Sequence, residues 1–200
     1  MDDFRLLIDL HREGHRQGPG GDRETRLAVE LSGLREAANL KVADIGCGTG
    51  ASTLVLAREL DAEITAIDLL PEFLAKLDQN AEREGLAHLI TTRSTSMETL
   101  PFAEAELDAI WSEGAIYNMG FEAGIKSWRK YLKPQGILAV SELTWLTDQR
   151  PEELQAHWEQ EYPEVDTASG KMAVLERLGF SPIGYFPLPE YCWLDNFYEP

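Results

Sequence analysis

The chain has 200 residues, a formal net charge of −17, and 44% hydrophobic against 26% charged residues. That is enough chain to bury a core without disulfides or metals, and too acidic to suit a phosphate backbone unless a local basic patch opposes the field. No apolar run reaches the roughly 20 residues of a membrane helix. Met1-Asp2-Asp3 also lacks the basic start of a signal peptide, so one cytoplasmic domain spanning 1–200, without membrane or nucleic-acid partners, is expected. The nearest basic patch, Arg5, His11, Arg12, His15 and Arg16, is diluted by acids and reads as a solvated helix face. Cys47 and Cys192 are too few and too far apart for a disulfide framework, and no metal site is expected.

Residues 1–38 read as two helices split by Gly18-Pro19-Gly20-Gly21, with Asp22 as N-cap of the second, and together form a helical cap or lid. From about residue 40 the pattern alternates. Leu40 to Ile45 is a short apolar strand, followed by glycines and a helix over Ala51 to Leu60. Glu63 to Ile67 is a second strand, and Pro71 opens a helix that stops at Gly85. Leu89 to Arg93 is a weaker strand, and Leu107 to Trp111 a stronger one. A helix over Phe121 to Leu132 leads into a turn at Lys133-Pro134-Gln135-Gly136 and a strand over Ile137 to Ser141. Residues 143–165 form an insertion near the substrate site, and the aromatic tail from Phe180 to Pro200 is expected to add a final antiparallel pair. Repeated strand–helix–strand units predict a doubly wound α/β fold: a mostly parallel, seven-stranded Rossmann-like sheet, with ligands bound beyond its carboxyl edge.

Gly46-Cys47-Gly48-Thr49-Gly50, between a strand and a helix, lets a ligand approach backbone. Gly46, Gly48 and Ala51 also satisfy a dinucleotide fingerprint, with Asp68 at the spacing of a ribose contact. Three features favour S-adenosylmethionine over a nicotinamide. Asp44, just before the glycines, would repel a pyrophosphate but suits a cationic sulfonium and ammonium. Asp68 ends the second strand, where its carboxylate can accept from ribose hydroxyls. Ser96-Met97, after the third strand, can read an adenine edge.

At this point the chain resembles the class I, Rossmann-like S-adenosylmethionine-dependent methyltransferases, in particular small bacterial type 11 and quinone-biosynthesis-like members. The resemblance rests on Val42-Ala43-Asp44-Ile45-Gly46-Cys47-Gly48-Thr49-Gly50, the acidic end at Asp68, Leu100-Pro101-Phe102, and Leu132-Lys133-Pro134-Gln135-Gly136, in that order. His15-Arg16-Gln17-Gly18-Pro19-Gly20 and Trp111-Ser112-Glu113-Gly114-Ala115-Ile116-Tyr117-Asn118 look like those of a narrower bacterial group. The resemblance implies methyl transfer from S-adenosylmethionine to a small-molecule acceptor by a monomer or homodimer. It implies cofactor contacts from Gln17, Asp44, Gly46, Cys47, Gly48, Gly50, Asp68, Leu69, Ser96, Met97 and Ser112. Ser96 stands where relatives often carry an Asp, and Gln135 where a second glycine is common. The alternatives are an NAD(P)-binding oxidoreductase and a non-catalytic S-adenosylmethionine-binding protein.

Methyl transfer at an activated sulfonium needs positioning and water exclusion first, and a base only when the nucleophile arrives protonated. Glu113, after the fourth strand, is the candidate base or substrate contact, with a backbone-organising carboxylate as the competing role. Trp111-Ser112-Glu113-Gly114 does not match [DN]-P-P-[YFW], which argues against adenine and glutamine acceptors. Tyr117, Trp158, Tyr162 and Tyr191 are candidate substrate contacts, with Trp111 and Trp193 as further aromatics near the pocket. His11, His15 and His157 are lower-ranked bases, and Arg16 or Gln17 is expected near the cofactor carboxylate.

Overall fold

Five parallel strands, in the spatial order β3-β2-β1-β4-β5, carry the site on their carboxyl edge. They are seen in a computed structural model that describes residues 14–198. The strands are β1 (Leu40–Ile45), β2 (Ala62–Asp68), β3 (Ile90–Ser94), β4 (Leu107–Ser112) and β5 (Leu132–Val140). The helices are α1 (Asp22–Ser32), α2 (Ala51–Glu59), α3 (Pro71–Glu84), α4 (Phe121–Trp128), α5 (Glu152–Glu161) and α6 (Ala168–Arg177). β1 pairs β2 on one side and β4 on the other, so the strand order reverses between β1 and β4. A crevice for a ligand opens at such a switch point.

Alternation along the strands divides the core. Ala43, Ile45 and Ile110 face α4, whose Phe121, Ile125 and Trp128 are buried against them. Leu40, Val42, Ala109 and Trp111 face the other way, onto Val29 of α1 and Leu56 of α2. Leu74, Leu77 and Ala81 of α3 pack with Leu54 and Ala66 on that same side. Helices thus cover both faces, as a parallel sheet requires. Asp44 shares the phase of Val42 and therefore points at the first turn of α2.

Several sequence expectations need correction. Among the described residues the main sheet has five strands rather than seven, and β6 (Thr144–Trp145) and β7 (Asp166–Thr167) form a separate two-residue parallel pair. The tail does not form an antiparallel pair among the described residues. Pro182, Pro187 and Pro189 remove ladder donors there, and the segment is irregular up to a short 3₁₀ turn at Glu190–Cys192. Asp22 is the first residue of α1 rather than its N-cap, which is Gly21. The turn expected at 133–136 lies inside β5, because Leu132 pairs with Leu107 and Ile137 with Ala109. The intervening residues bulge opposite Asp108, which takes two bonds from Lys133 Nζ at 2.8 Å. Gln135 sits in that bulge at φ +68°. Of the expected first helix, residues 1–13 lie outside the described residues, with Arg5, His11 and Arg12 among them; residues 14–21 are non-helical bends.

Candidate active site

The glycine loop joins β1 to α2, and its backbone donors are spent on the protein itself. Gly46 N and Cys47 N donate to Ile67 O, at 2.8 and 3.0 Å, and Gly50 N donates to Cys47 O at 2.9 Å. Gly48 N donates to Asp68 Oδ2 at 2.9 Å, and Thr49 N to Gln17 Oε1 at 2.8 Å. Gly46 is at φ +74°, and a Cβ there would lie 2.3 Å from the Ala115 methyl. Only glycine lets the loop after β4 close onto the glycine loop this tightly.

Two carboxylates flank the loop. Asp44 is fully buried, and its Oδ2 accepts from Thr53 at 2.6 Å and Ser52 at 2.8 Å. Its Oδ1 is buried with no hydrogen-bond partner. Burial pushes its pKa up to about 7, against the pull of the two hydroxyls. Asp68 accepts from Gly48 N through Oδ2 and from Leu70 N, at 2.9 Å, through Oδ1. Burial raises its pKa despite those bonds. Beside it Leu69 is 56% exposed. Cys47 is buried among apolar side chains, and burial raises its thiol well above the ordinary range.

Met97 packs against the core beneath the loop, with its Cε 3.7 Å from where a Gly46 Cβ would stand. Its carbonyl accepts from the buried Trp128 Nε1 at 2.9 Å. Ser96 is half-buried, and its hydroxyl accepts from Glu98 N at 3.2 Å. Ser112 is fully buried and donates to Ile45 O at 2.8 Å, fastening β4 to β1.

Glu113 is heavily engaged. Arg16 Nη1 donates to its Oε2 at 2.9 Å, while Thr25 Oγ1 and Trp111 Nε1 reach its Oε1 at 2.8 and 2.9 Å. Arg16 extends its fork to Asp22 and Thr25. Asp22 in turn is held down to about 2, chiefly by its contact with His15 and also by Arg16. This arrangement is a docking carboxylate that holds the cap to the sheet. Gly114 N donates to Ser141 Oγ at 2.7 Å, joining the loops after β4 and β5.

The aromatic candidates fall in different places. Tyr117 and Tyr162 meet edge to face with centroids 6.4 Å apart. Trp158 lies on α5, beside His157. Tyr191 is elsewhere, donating to the buried Glu24 of α1 under the C-terminal turn. His15 approaches Asp22 at 3.6 Å, and Arg16 serves Glu113. Sequence reasoning missed Thr25, Trp128 and Ser141, whose bonds span long separations. It also missed Ser52 and Thr53, although hydroxyls in the first turn after Gly50, eight and nine residues past Asp44, were a readable signal.

Residues 42–136 match the family described as a methyltransferase domain. The chain is 34% identical over 146 residues to a malonyl-[acyl-carrier protein] O-methyltransferase of Herminiimonas arsenicoxydans, covering 72% of this chain and 53% of that one. Among solved structures it is similar to an S-adenosylmethionine-dependent methyltransferase of Thiobacillus denitrificans in complex with S-adenosylhomocysteine, with TM-score 0.76, 21% identity and coverage of 96% and 76%. A second, from Geobacter sulfurreducens, has TM-score 0.71, 20% identity and coverage of 89% and 70%. These structural likenesses bear on the fold. The chain spans about half or less of the length of the curated relatives it matches. With the Asp44–glycine-loop–Asp68 arrangement at the switch point of a Rossmann-like sheet, residues 42–136 thus match a methyltransferase domain in both sequence and fold.

Proposed function

We propose that this protein transfers the methyl group of S-adenosylmethionine to a small-molecule acceptor by in-line displacement. One observation carries the reading over a nicotinamide enzyme: all five loop N–H groups from Gly46 to Gly50 have protein acceptors. A pyrophosphate would find no free donors there and would meet Asp44 and Asp68 instead.

The residues present fit the methyl donor. The unpartnered Asp44 Oδ1 is a buried acceptor awaiting a donor, direct or through water, and a cationic ammonium is the group that suits it. Each Asp68 oxygen takes one backbone bond and keeps lone pairs for ribose hydroxyls. The exposed Leu69 and the Met97 side chain offer apolar surface for an adenine ring. When bound, the donor supplies an activated methyl on a sulfonium and leaves as a neutral thioether. Because leaving-group activation comes with the donor, the protein's part is orientation and exclusion of water. Arg16, Thr25 and Glu113 do the second by holding residues 14–25 over the loops after β1 and β4. Gln17, bonded to Thr49, closes the loop from above.

A net charge of −17 supports small molecules over nucleic acids as acceptors. No helix among the described residues is long and apolar enough to cross a membrane. The relatives include a sterol 24-C-methyltransferase, whose acceptor is a small molecule, and a malonyl-[acyl-carrier protein] O-methyltransferase, so acceptors of differing chemistry are consistent with these relatives. The test is incubation with methyl-labelled S-adenosylmethionine and a panel of hydroxyl, amine, thiol and activated-carbon acceptors. Label in a small product is expected. Binding without transfer across the panel would instead favour a non-catalytic binder.

A further inference from the structure

Beyond the methyl-donor crevice lies a second buried polar cluster. Glu142 stands two residues past the end of β5, and its side chain is 6% exposed. Lys171 of α6, 8% exposed, bonds Glu142 Oε1 at 2.9 Å. The ammonium lies 4.6 Å from the Phe121 ring centroid and 5.2 Å from that of Tyr162. Two polar atoms in this cluster are buried without a hydrogen-bond partner, Glu142 Oε2 and Tyr162 Oη. Burial first, and then the contact and charge of the Glu142 carboxylate that the hydroxyl faces, push the Tyr162 phenol upward, so it stays a protonated donor directed at Glu142. Buried carboxylate and phenol oxygens without partners are uncommon, and a ligand is one way to satisfy them.

The cluster adjoins the reaction site. Ser141, next to Glu142, donates its N–H to Ser112 O at 3.0 Å and accepts from Gly114 N at 2.7 Å. Ala115, the following residue, closes on Gly46 of the glycine loop. Glu142, Lys171 and Phe121, though not Tyr162, also line an open groove of about 950 Å³ that follows β5, the edge strand of the sheet, and extends to Glu113 and Trp111.

We propose that Glu142, Lys171 and Tyr162 form the polar end of the acceptor site and that it binds a neutral hydroxyl group. The proposal rests on the methyltransferase reading above and names its substrate class. Charge decides between the candidates. An acceptor ammonium would place a second cation beside Lys171. A carboxylate or phosphate would place a second anion beside Glu142, with Glu164 adding its own negative charge at Tyr162. Lys171 and Glu142 already neutralise each other. Unlike these charged groups, a hydroxyl can donate to Glu142 Oε2 and accept from Tyr162 Oη within one group without adding charge. The aromatic faces of Phe121, Tyr162 and Tyr117 would pack against the carbon next to it.

The experiment uses the full chain with S-adenosylhomocysteine and four probes of one shape: benzyl alcohol, benzoate, benzylamine and toluene. Ligand-detected NMR gives their affinities, and calorimetry follows S-adenosylhomocysteine separately. Benzyl alcohol should bind at least about tenfold more tightly than the other three, since a site built around a hydroxyl discriminates against analogues lacking it. Glu142→Gln and Tyr162→Phe should each cut that preference by about fivefold or more, leaving toluene and S-adenosylhomocysteine affinities unchanged. An equal response to all four probes, or a preference that survives both substitutions, overturns the proposal. A hydroxyl preference that depends on Glu142 in protein that fails to bind S-adenosylhomocysteine would uphold this site and defeat the methyl-donor reading.

Discussion

Arg16 and Glu113 lie 97 residues apart in sequence and meet through a 2.9 Å hydrogen bond. The guanidinium side chain is 5% exposed and the carboxylate 15%. Removing one partner of such a pair leaves a buried charge uncompensated. Arg16→Met is therefore expected to destabilise the protein by about 3 kcal/mol, read from urea unfolding. Glu113→Gln should also lower stability, while the shape of the pH dependence of turnover stays as in the wild type. A limb of that profile lost in Glu113→Gln would instead assign Glu113 the base role.

Asp44 links pH to both stability and binding. Its folded pKa, about 7, lies above the unfolded value of about 3.8. The sign follows from linkage: the folded state holds the extra proton, so this group's stabilising contribution is full below pH 4 and is lost as pH rises through 7. A ligand ammonium placed at Asp44 favours the ionised form and must displace that proton. S-adenosylhomocysteine affinity should therefore rise between pH 6 and 8, with proton release at the lower end. Calorimetry in buffers of different ionisation enthalpy measures this, and Asp44→Asn should abolish it.

Asp68→Ala removes the acceptor assigned to the ribose hydroxyls. Cofactor affinity should fall by about 1.5–3 kcal/mol, the range for hydrogen bonds to charged groups. Gly48 N and Leu70 N lose their acceptor at the same time. Circular dichroism should accompany the titration, so that a lost loop is told apart from a lost ligand contact.

Much of the nucleotide-binding half was legible because its signals are local. An apolar run into glycines, an acidic strand end and Pro71 before an amphipathic helix each follow from neighbouring residues. Leu40–Ile45 and Pro71–Glu84 fall where their residue pattern puts them. The β5 boundary was not legible, since Pro134 and Gln135 look like a turn until Asp108 and Lys133 are brought together across the sheet. The same holds for Glu113, whose role is fixed by Arg16 and Thr25 from a segment far off in sequence. The tail offered aromatics that suit strands, but its prolines govern the hydrogen bonding.

Gln135 offers a stability test away from the site. At φ +68° a residue with a Cβ is strained, whereas glycine is not. The side chain is exposed, so little packing is lost. Gln135→Gly should stabilise by about 0.5–1 kcal/mol after the greater chain entropy of glycine is counted, seen as a higher Tm with unchanged cofactor affinity.

The central claim is that the spent loop donors and the two carboxylates select a phosphate-free ligand that carries an ammonium and a ribose. Calorimetric titration of the folded wild type at pH 7.5 with S-adenosylhomocysteine and, separately, with NAD+ tests it most directly. Binding of S-adenosylhomocysteine without binding of NAD+ is the predicted result. NAD+ binding in protein that ignores S-adenosylhomocysteine would contradict the account.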